Sequence, residues 1–301
     1  MVYLLIALLG CNAAAAQRPD PTAAPMAKGI FSVGKISGKP AKQIKKYQTV
    51  ADYLAANLAK HGIGAGRVVV APDIETMVGM LKSGEVNLFF DNPFSAYLVS
   101  DLADGKAIVL RVKQGPAEKR GIIFTRSDGG PTSLSGLRGR LIAMEDPTSS
   151  VSYLSPMAYL IEAGITMVEK PQPDAPVAAN EVGYIFSYDD DNTVQWVLTG
   201  KVTAGVVDDS AFEEFLEENP DDLSILAETQ PMMRHQPGIV NPGMLPEFQA
   251  DVRALLVGLD DSEESQSVKR PSETLRFTEF STDAQATLSD VARMYALLIT
   301  R

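Results

Sequence analysis

Apolar and polar positions along this chain alternate between a helical and a strand period. "YQTVADYLAANLAKHG" sets Val50, Leu54 and Leu58 on one helix face, and Gly62 marks the stop. "RVVVAP" is an apolar run of strand length. "DIETMVGMLKSG" predicts a helix capped by Asp73 and closed by Gly84. "VNLFFDNP" predicts a strand that breaks at Asn92-Pro93, and "GIFSVGKIS" upstream is a short β-branched and aromatic run. Strand-like and helix-like stretches thus alternate from Gly29 onward, which predicts α/β layers with largely parallel strands.

The pattern then repeats. "MLKSGEVNLFFDNPFSAY" (residues 80–97) and "VLTGKVTAGVVDDSAF" (residues 197–212) share one order. Each reads helix end, Gly, charge, Val, polar residue, apolar strand, Asp, then a small or aromatic residue opening a helix. Their glycines, Gly84 and Gly200, lie 200 − 84 = 116 positions apart. That is too long for a solenoid repeat and suits two lobes of like construction. The second lobe is expected to open near "EKRGIIFTRSD". The expected organisation is a signal segment over 1–10, a tether over 11–28, a first lobe over 29–117 plus 231–301, and a second lobe over 118–230.

One stretch calls for more than helix capping. "MEDPTSSVSYLSPMAYLIEAG" crowds Thr148, Ser149, Ser150 and Ser152 ahead of an apolar stripe of Val151, Leu154, Ala158 and Ile161. One cap needs one hydroxyl. A strand ending at Met144, a polar loop and a helix opening near Ser150 make a βα junction, where open α/β sheets hold ligands. Free N–H groups and partial positive charge in the first turn, with added hydroxyl donors, form an anion cradle that needs no Lys or Arg. If Ser152 caps the helix, Pro156 falls at its fourth position; if Ser155 caps it, Pro156 is the first helical residue. A solvated loop with a single cap is the competing reading.

Composition narrows the chemistry. The 301 residues are 45% hydrophobic, enough for a large core. The formal net charge of −11 argues against a nucleic-acid partner. The dense basic stretch "KQIKKY" reads as a solvated helix face. One cysteine permits no disulfide within the chain, and two histidines, His61 and His235, leave little for a zinc site or a Ser-His-Asp triad. Asp189, Asp190 and Asp191 cluster without metal-loop spacing. Neither catalysis, nor a metal, nor a cofactor is expected. The opening "MVYLLIALLGCNAAAAQRPDPTAAP" has an apolar run short of the ~20 residues of a membrane span, but of signal-segment length. "LLGC" resembles the lipobox of bacterial lipoproteins, which implies cleavage before Cys11 and a lipid anchor on it. No Lys or Arg precedes the run, a departure from that pattern. Residues 12–28 read as a tether.

"GLRGRLIAMEDPTSSVSYLSPMAYL" resembles the phosphate, phosphite and phosphonate-binding proteins of bacterial ABC importers. These carry a Gly-Leu-x-Gly-Lys segment, a strand, and a Ser-Thr-Ser-Gly turn with a proline four residues beyond. "KKYQTVADYLAANL" is similar to their first helix, and "LKSGEVNLFFDNPFSAY" to their Gly-x-Val-Asp strand and binding loop. "WVLTGKVTAGVVDDSAF" is similar to their second copy of that strand, and "LRFTEF" to their C-terminal Phe-x-x-Phe segment. The resemblance spans residues 29–280. It implies a two-lobed α/β periplasmic-binding-protein-like fold, each lobe a mostly parallel sheet flanked by helices, with two crossovers and a ligand cleft between lobes.

Carried over by motif, Ser149 and Ser150 would hold the ligand's phosphoryl oxygens with Ser152 a further ligand-binding candidate, Asp91 and Asn92 would contribute from the first lobe, and Tyr188 and Asp208 would face them from the second. The family also implies a small phosphorus-containing anion as ligand, a permease in the inner membrane as partner, a monomer, and a place in the cell envelope. Three departures stand out. Val151 replaces the usual second serine, Ser152 the glycine, and "FSYDDDNT" a segment that often holds a histidine. The aspartates either cap a helix beginning at Asn192 or read an ammonium or hydroxyl on the substrate, as an aminoalkyl phosphonate would offer. A ligand-sensing or partner-binding lipoprotein on the same fold is the alternative function.

Overall fold

The computed structural model describes residues 29–218 and 220–300. The expected signal segment, Cys11 and the tether lie outside the described residues. The chain runs β1 (Ile30–Ile36), α1 (Pro40–Asn57), β2 (Ala65–Ala71), α2 (Ile74–Ser83), β3 (Leu88–Phe90), α3 (Pro93–Ala103) and β4 (Lys106–Lys113). A short β5 (Glu118–Lys119) leads to β6 (Gly121–Arg126), β7 (Leu141–Met144), α4 (Ser155–Glu162), β8 (Thr166–Glu169), β9 (Glu181–Phe186) and α5 (Asp190–Leu198). Then come β10 (Ala204–Asp208), α6 (Asp209–Glu218), β11 (Leu223–Glu228) and β12 (Met232–Met233). The chain closes with β13 (Gln236–Val240), α7 (Pro246–Val257), α8 (Glu263–Lys269), β14 (Thr274–Glu279) and α9 (Thr282–Ile299).

Two six-stranded sheets result, ordered β14-β4-β13-β3-β1-β2 and β11-β6-β10-β7-β9-β8. Each belongs to one lobe of a two-lobed α/β fold. Parallel pairing is confined to β2-β1-β3 and to β10-β7-β9-β8. The other pairs are antiparallel, so the sheets are more mixed than the alternation of elements predicts. The reason lies in the crossings. β6, by which the chain enters the second sheet, and β13, by which it returns to the first, run antiparallel to β10 and β3 beside them. The two crossing segments pair as a ribbon, with Met232 opposite Lys119 and Met233 opposite Glu118. The two similar sequence segments become β3 and β10, which sit at the same place in each sheet, where parallel order meets antiparallel.

Local chemistry explains the elements. Asp73 Oδ1 accepts from Thr76 N at 2.8 Å to start α2, and Gly84 at φ 75° ends it. α1 begins at Pro40, which places "KQIKKY" inside the helix. Gly66 lets β2 touch α1: an added Cβ would lie 2.3 Å from the Ala51 backbone. Phe31, Val33, Leu88 and Phe90 bury one face of the first sheet against α1 and α7. Phe89 and Ile239 bury the other against α2 and α3. In the second lobe Ile142, Met144 and Val182 pack on α4, while Phe124 and Val207 pack on α5 and α6. Each such side chain contributes about 1.5–3 kcal/mol by leaving water. α9 lies across both lobes: Val291 and Met294 share one apolar cluster with Phe94 of α3, Met232 of the ribbon, and Leu154 and Ala158 of the second lobe.

Candidate functional site

The segments after β1 and β3 in the first lobe, and after β7 and β9 in the second, meet across a polar seam. The hydroxyl-rich segment follows β7. Asp146 Oδ1 accepts from Thr148 N at 2.7 Å and from Thr148 Oγ1 at 2.6 Å, which folds the turn. Ser149 is the cap, its Oγ accepting from Ser152 N at 3.0 Å. Neither Ser152 nor Ser155 plays that part. A π-helical turn, Ser150–Leu154, comes first, with Leu154 N donating to Ser149 O at 3.0 Å, and α4 continues from it. Pro156 is the physical reason. Its ring lacks an N–H and crowds the carbonyl four residues back, so the first turn widens instead of running α-helical.

The turn is locked to the first lobe. Asn92 caps α3, its Oδ1 accepting from Phe94 N at 3.0 Å and Ser95 N at 3.2 Å. Ser150, 2% exposed, donates to the same Oδ1 at 2.7 Å and accepts from Phe94 N at 2.9 Å. Asn92 Nδ2 and Ser95 Oγ both donate to Thr148 O, at 3.0 and 3.2 Å. Asn92 Oδ1 thus collects three donors, Phe94 N and Ser95 N from the first lobe and Ser150 Oγ from the second. Behind them Asp91 holds Lys35 Nζ at 3.1 Å, and its Oδ1 accepts from Asn92 N at 2.8 Å. That pair is neutral and almost wholly buried.

The second lobe presents acids. Tyr188 follows β9 with φ at +61°, uncommon and strained for a bulky residue, and stays 69% exposed. Its N–H donates to Glu145 O at 2.7 Å. Asp189 caps α5 by accepting from Asp191 N at 3.2 Å, so that helix opens at Asp190, two residues before the expected Asn192. The aspartate run had two candidate roles; Asp189 does serve as a cap, and it also reaches Lys39 across the seam at 3.2 Å. Asp208 caps α6 through Ala211 N at 3.1 Å and binds Lys119 Nζ at 2.5 Å. A cavity of ≈ 550 Å³ opens between Lys39 of the first lobe and Glu145, Tyr188, Asp190, Asp191 and Glu214 of the second. Burial, then the Asp190 charge, pushes the Glu145 carboxyl up to about 7, against a hydrogen bond from the Ser152 hydroxyl. Burial and the Asp208 charge push Asp190 up to about 6. Asp190 Oδ1 is buried without a hydrogen-bond partner.

The structure thus brings Asn92 and Ser150 into direct contact, with Ser149 and Ser152 in the same turn and Asp91 behind. Tyr188 lines the acidic cavity, while Asp208 lies toward the ribbon. Sequence reasoning passed over Glu145 and Lys35. Glu145 stood inside the hydroxyl-rich segment, and Lys35 is the one charge in β1.

A family model described as "ABC transporter, phosphonate, periplasmic substrate-binding protein" matches residues 36–285. The chain belongs to this family. Its members are substrate-binding proteins and not enzymes. The phosphate-import protein PhnD of Mycolicibacterium smegmatis is 25% identical over 216 residues, which are 69% of this chain and 64% of that protein. The chain therefore spans just under two thirds of that relative. XAC2383 from Xanthomonas citri, solved with chloride ion, shares the fold with TM-score 0.83 at 22% identity, over 90% of this chain and 99% of that one. The same protein bound to ATP gives 0.82 at 21% identity, over 90% and 98%. PhnD1 from Prochlorococcus marinus, in complex with methylphosphonate, gives 0.63 at 15% identity, over 89% and 98%. At these identities the likeness is one of fold.

Proposed function

We propose that this member of the phosphonate-binding family is the substrate-binding lipoprotein of an ABC importer. It captures a small phosphorus oxyanion or organophosphonate between its lobes and hands it to a permease in the inner membrane. It works as a monomer in the cell envelope, held there by lipid on Cys11. One observation carries the reading: Ser150 Oγ, Phe94 N and Ser95 N, drawn from both lobes, all donate to Asn92 Oδ1. An oxygen that collects three donors stands where a phosphoryl oxygen would, and helix N–H groups suit an anion. The ligand's oxygens replace Asn92 Oδ1 when the lobes part and reclose, and Ser149 and Ser152 turn toward them. Carboxylates nearby do not forbid an anion. Asp91 and Asp208 are neutralised by Lys35 and Lys119, and Glu145 is partly protonated at neutral pH. A cationic tail on the ligand would extend toward Tyr188 and Asp190 in the acidic cavity.

Thermal unfolding of the purified, ligand-stripped chain with phosphate, phosphite, methylphosphonate, 2-aminoethylphosphonate and sulfate tests this. A ligand at 100 times its Kd adds about 2.7 kcal/mol, which raises the melting temperature by roughly 5 °C. Stabilisation by a phosphorus compound and not by sulfate supports the reading. Preference for the aminoethyl compound over methylphosphonate assigns the acids to its ammonium. No shift with any of the phosphorus compounds refutes it.

A further inference from the structure

β4 ends in cations that the seam does not use. Arg111 is 2% exposed and donates to Thr274 Oγ1 at 2.8 Å, Gln236 Oε1 at 2.7 Å and Ser272 O, all neutral acceptors. Its guanidinium carbon lies 5.2 Å from the centre of the Tyr47 ring, and Lys35 Nζ lies 5.1 Å from the same ring. Lys113 follows two residues later, its backbone N–H donating to His235 Nδ1 at 3.4 Å. That bond uses His235 Nδ1 as an acceptor.

Arg234 joins them directly after β12. It packs over Gly115, where an added Cβ would sit 2.9 Å from its Nη1, and donates to Gln114 O. Its Nε is buried and has no hydrogen-bond partner. The neighbouring carboxylates each serve another cation: Asp91 binds Lys35, Glu273 binds Lys46, and Asp208 binds Lys119. Among the described residues none forms an ion pair with Arg111, Lys113 or Arg234. Burial and the charges of Arg234 and Arg111 push the Lys113 ammonium down to about 8. Burial and Arg234 likewise lower His235. Buried and part-buried cations packed together without a counter-charge are costly, and the cost falls when an anion enters.

The geometry points to an anion seat beside the hinge ribbon, where Lys113 and Arg234, backed by Arg111, receive a tetrahedral oxyanion of the phosphate type. Arg234 Nε supplies the directed donor and Lys113 Nζ a mobile one. None of these three cations takes part in the Ser150–Asn92 contacts, so the seat is tested apart from the function proposed above.

Calorimetric titration of the full chain with inorganic phosphate at pH 7 tests it, using wild type, Lys113→Gln, Arg234→Gln and Ser150→Ala. Each hinge variant should weaken phosphate binding by about 10-fold or more, the loss expected of a charged hydrogen bond. Ser150→Ala should keep the hinge component. Unchanged affinity in both hinge variants, or no phosphate binding to wild type, overturns the seat. Loss of binding confined to Ser150→Ala leaves the seam reading standing and refutes the hinge. A selenate soak of wild-type crystals answers the same question without variants. An anomalous peak within hydrogen-bond reach of Arg234 Nε and Lys113 Nζ supports the seat, and a soak with no peak there overturns it.

Discussion

Replacing Glu145 by Gln should make the protein more stable above neutral pH and remove much of its pH dependence. Glu145 sits at the end of β7 with its carboxyl lifted from 4.5 to about 7, chiefly by burial and then by Asp190. A carboxyl with a raised folded-state pKa holds its proton more tightly when folded. Its contribution is fully present below pH 4.5 and is lost as pH rises through 7. At ~1.4 kcal/mol per pH unit, the span from 4.5 to about 7 is on the order of 3 kcal/mol. Gln keeps an acceptor for the Ser152 hydroxyl and carries no charge. Urea unfolding at pH 5 and pH 8 reads the difference. Wild type should lose on the order of 3 kcal/mol between these pH values from this group, and E145Q should lose far less. At pH 8 the variant should melt roughly 5 °C higher. A variant less stable than wild type at pH 8, or one with the same pH slope, refutes the assignment of a strained carboxylate to this site.

The seam and the packing give further tests. Ser150→Ala should lower ligand-free stability by about 1–2 kcal/mol in chemical unfolding, because a buried bridge is lost while Phe94 N keeps Asn92 Oδ1. No change would mark the bridge as dispensable. Phe94→Ala should cost about 3–5 kcal/mol, since the ring is 2% exposed and packs near Tyr153 and Tyr295, 6.4 and 5.6 Å away between centres. The same variant should increase hydrogen exchange in α9, which shares that cluster. Tyr188→Gly should raise the melting temperature of the ligand-free chain by relieving a left-handed residue worth about 1 kcal/mol. Gly66→Ala should destabilise strongly, because the added methyl meets the Ala51 backbone at 2.3 Å and neither side can yield.

Much of this architecture was already legible in the amino-acid order. Period and capping residues located α2 between Asp73 and Gly84, and the two Gly-to-Asp segments foretold β3 and β10 as matched strands. The hydroxyl-rich turn marked the right junction, because caps, prolines and apolar stripes act over a few residues. Those local rules did not say which serine caps, since Pro156 shifts the balance toward a π turn by about one residue's geometry. They also missed the antiparallel strands β6 and β13, whose direction depends on where the chain re-enters a sheet. The pairing of Ser150 with Asn92 joins residues 58 positions apart. Glu145 is raised and Lys113 lowered by burial and by the charges of Asp190 and Arg234, which strand pairing within each lobe brings near. Burial and Coulomb interaction depend on distance in space. Only the folded chain sets those distances, so the βα junction was written locally while its hydrogen bonds and charges were decided by tertiary structure.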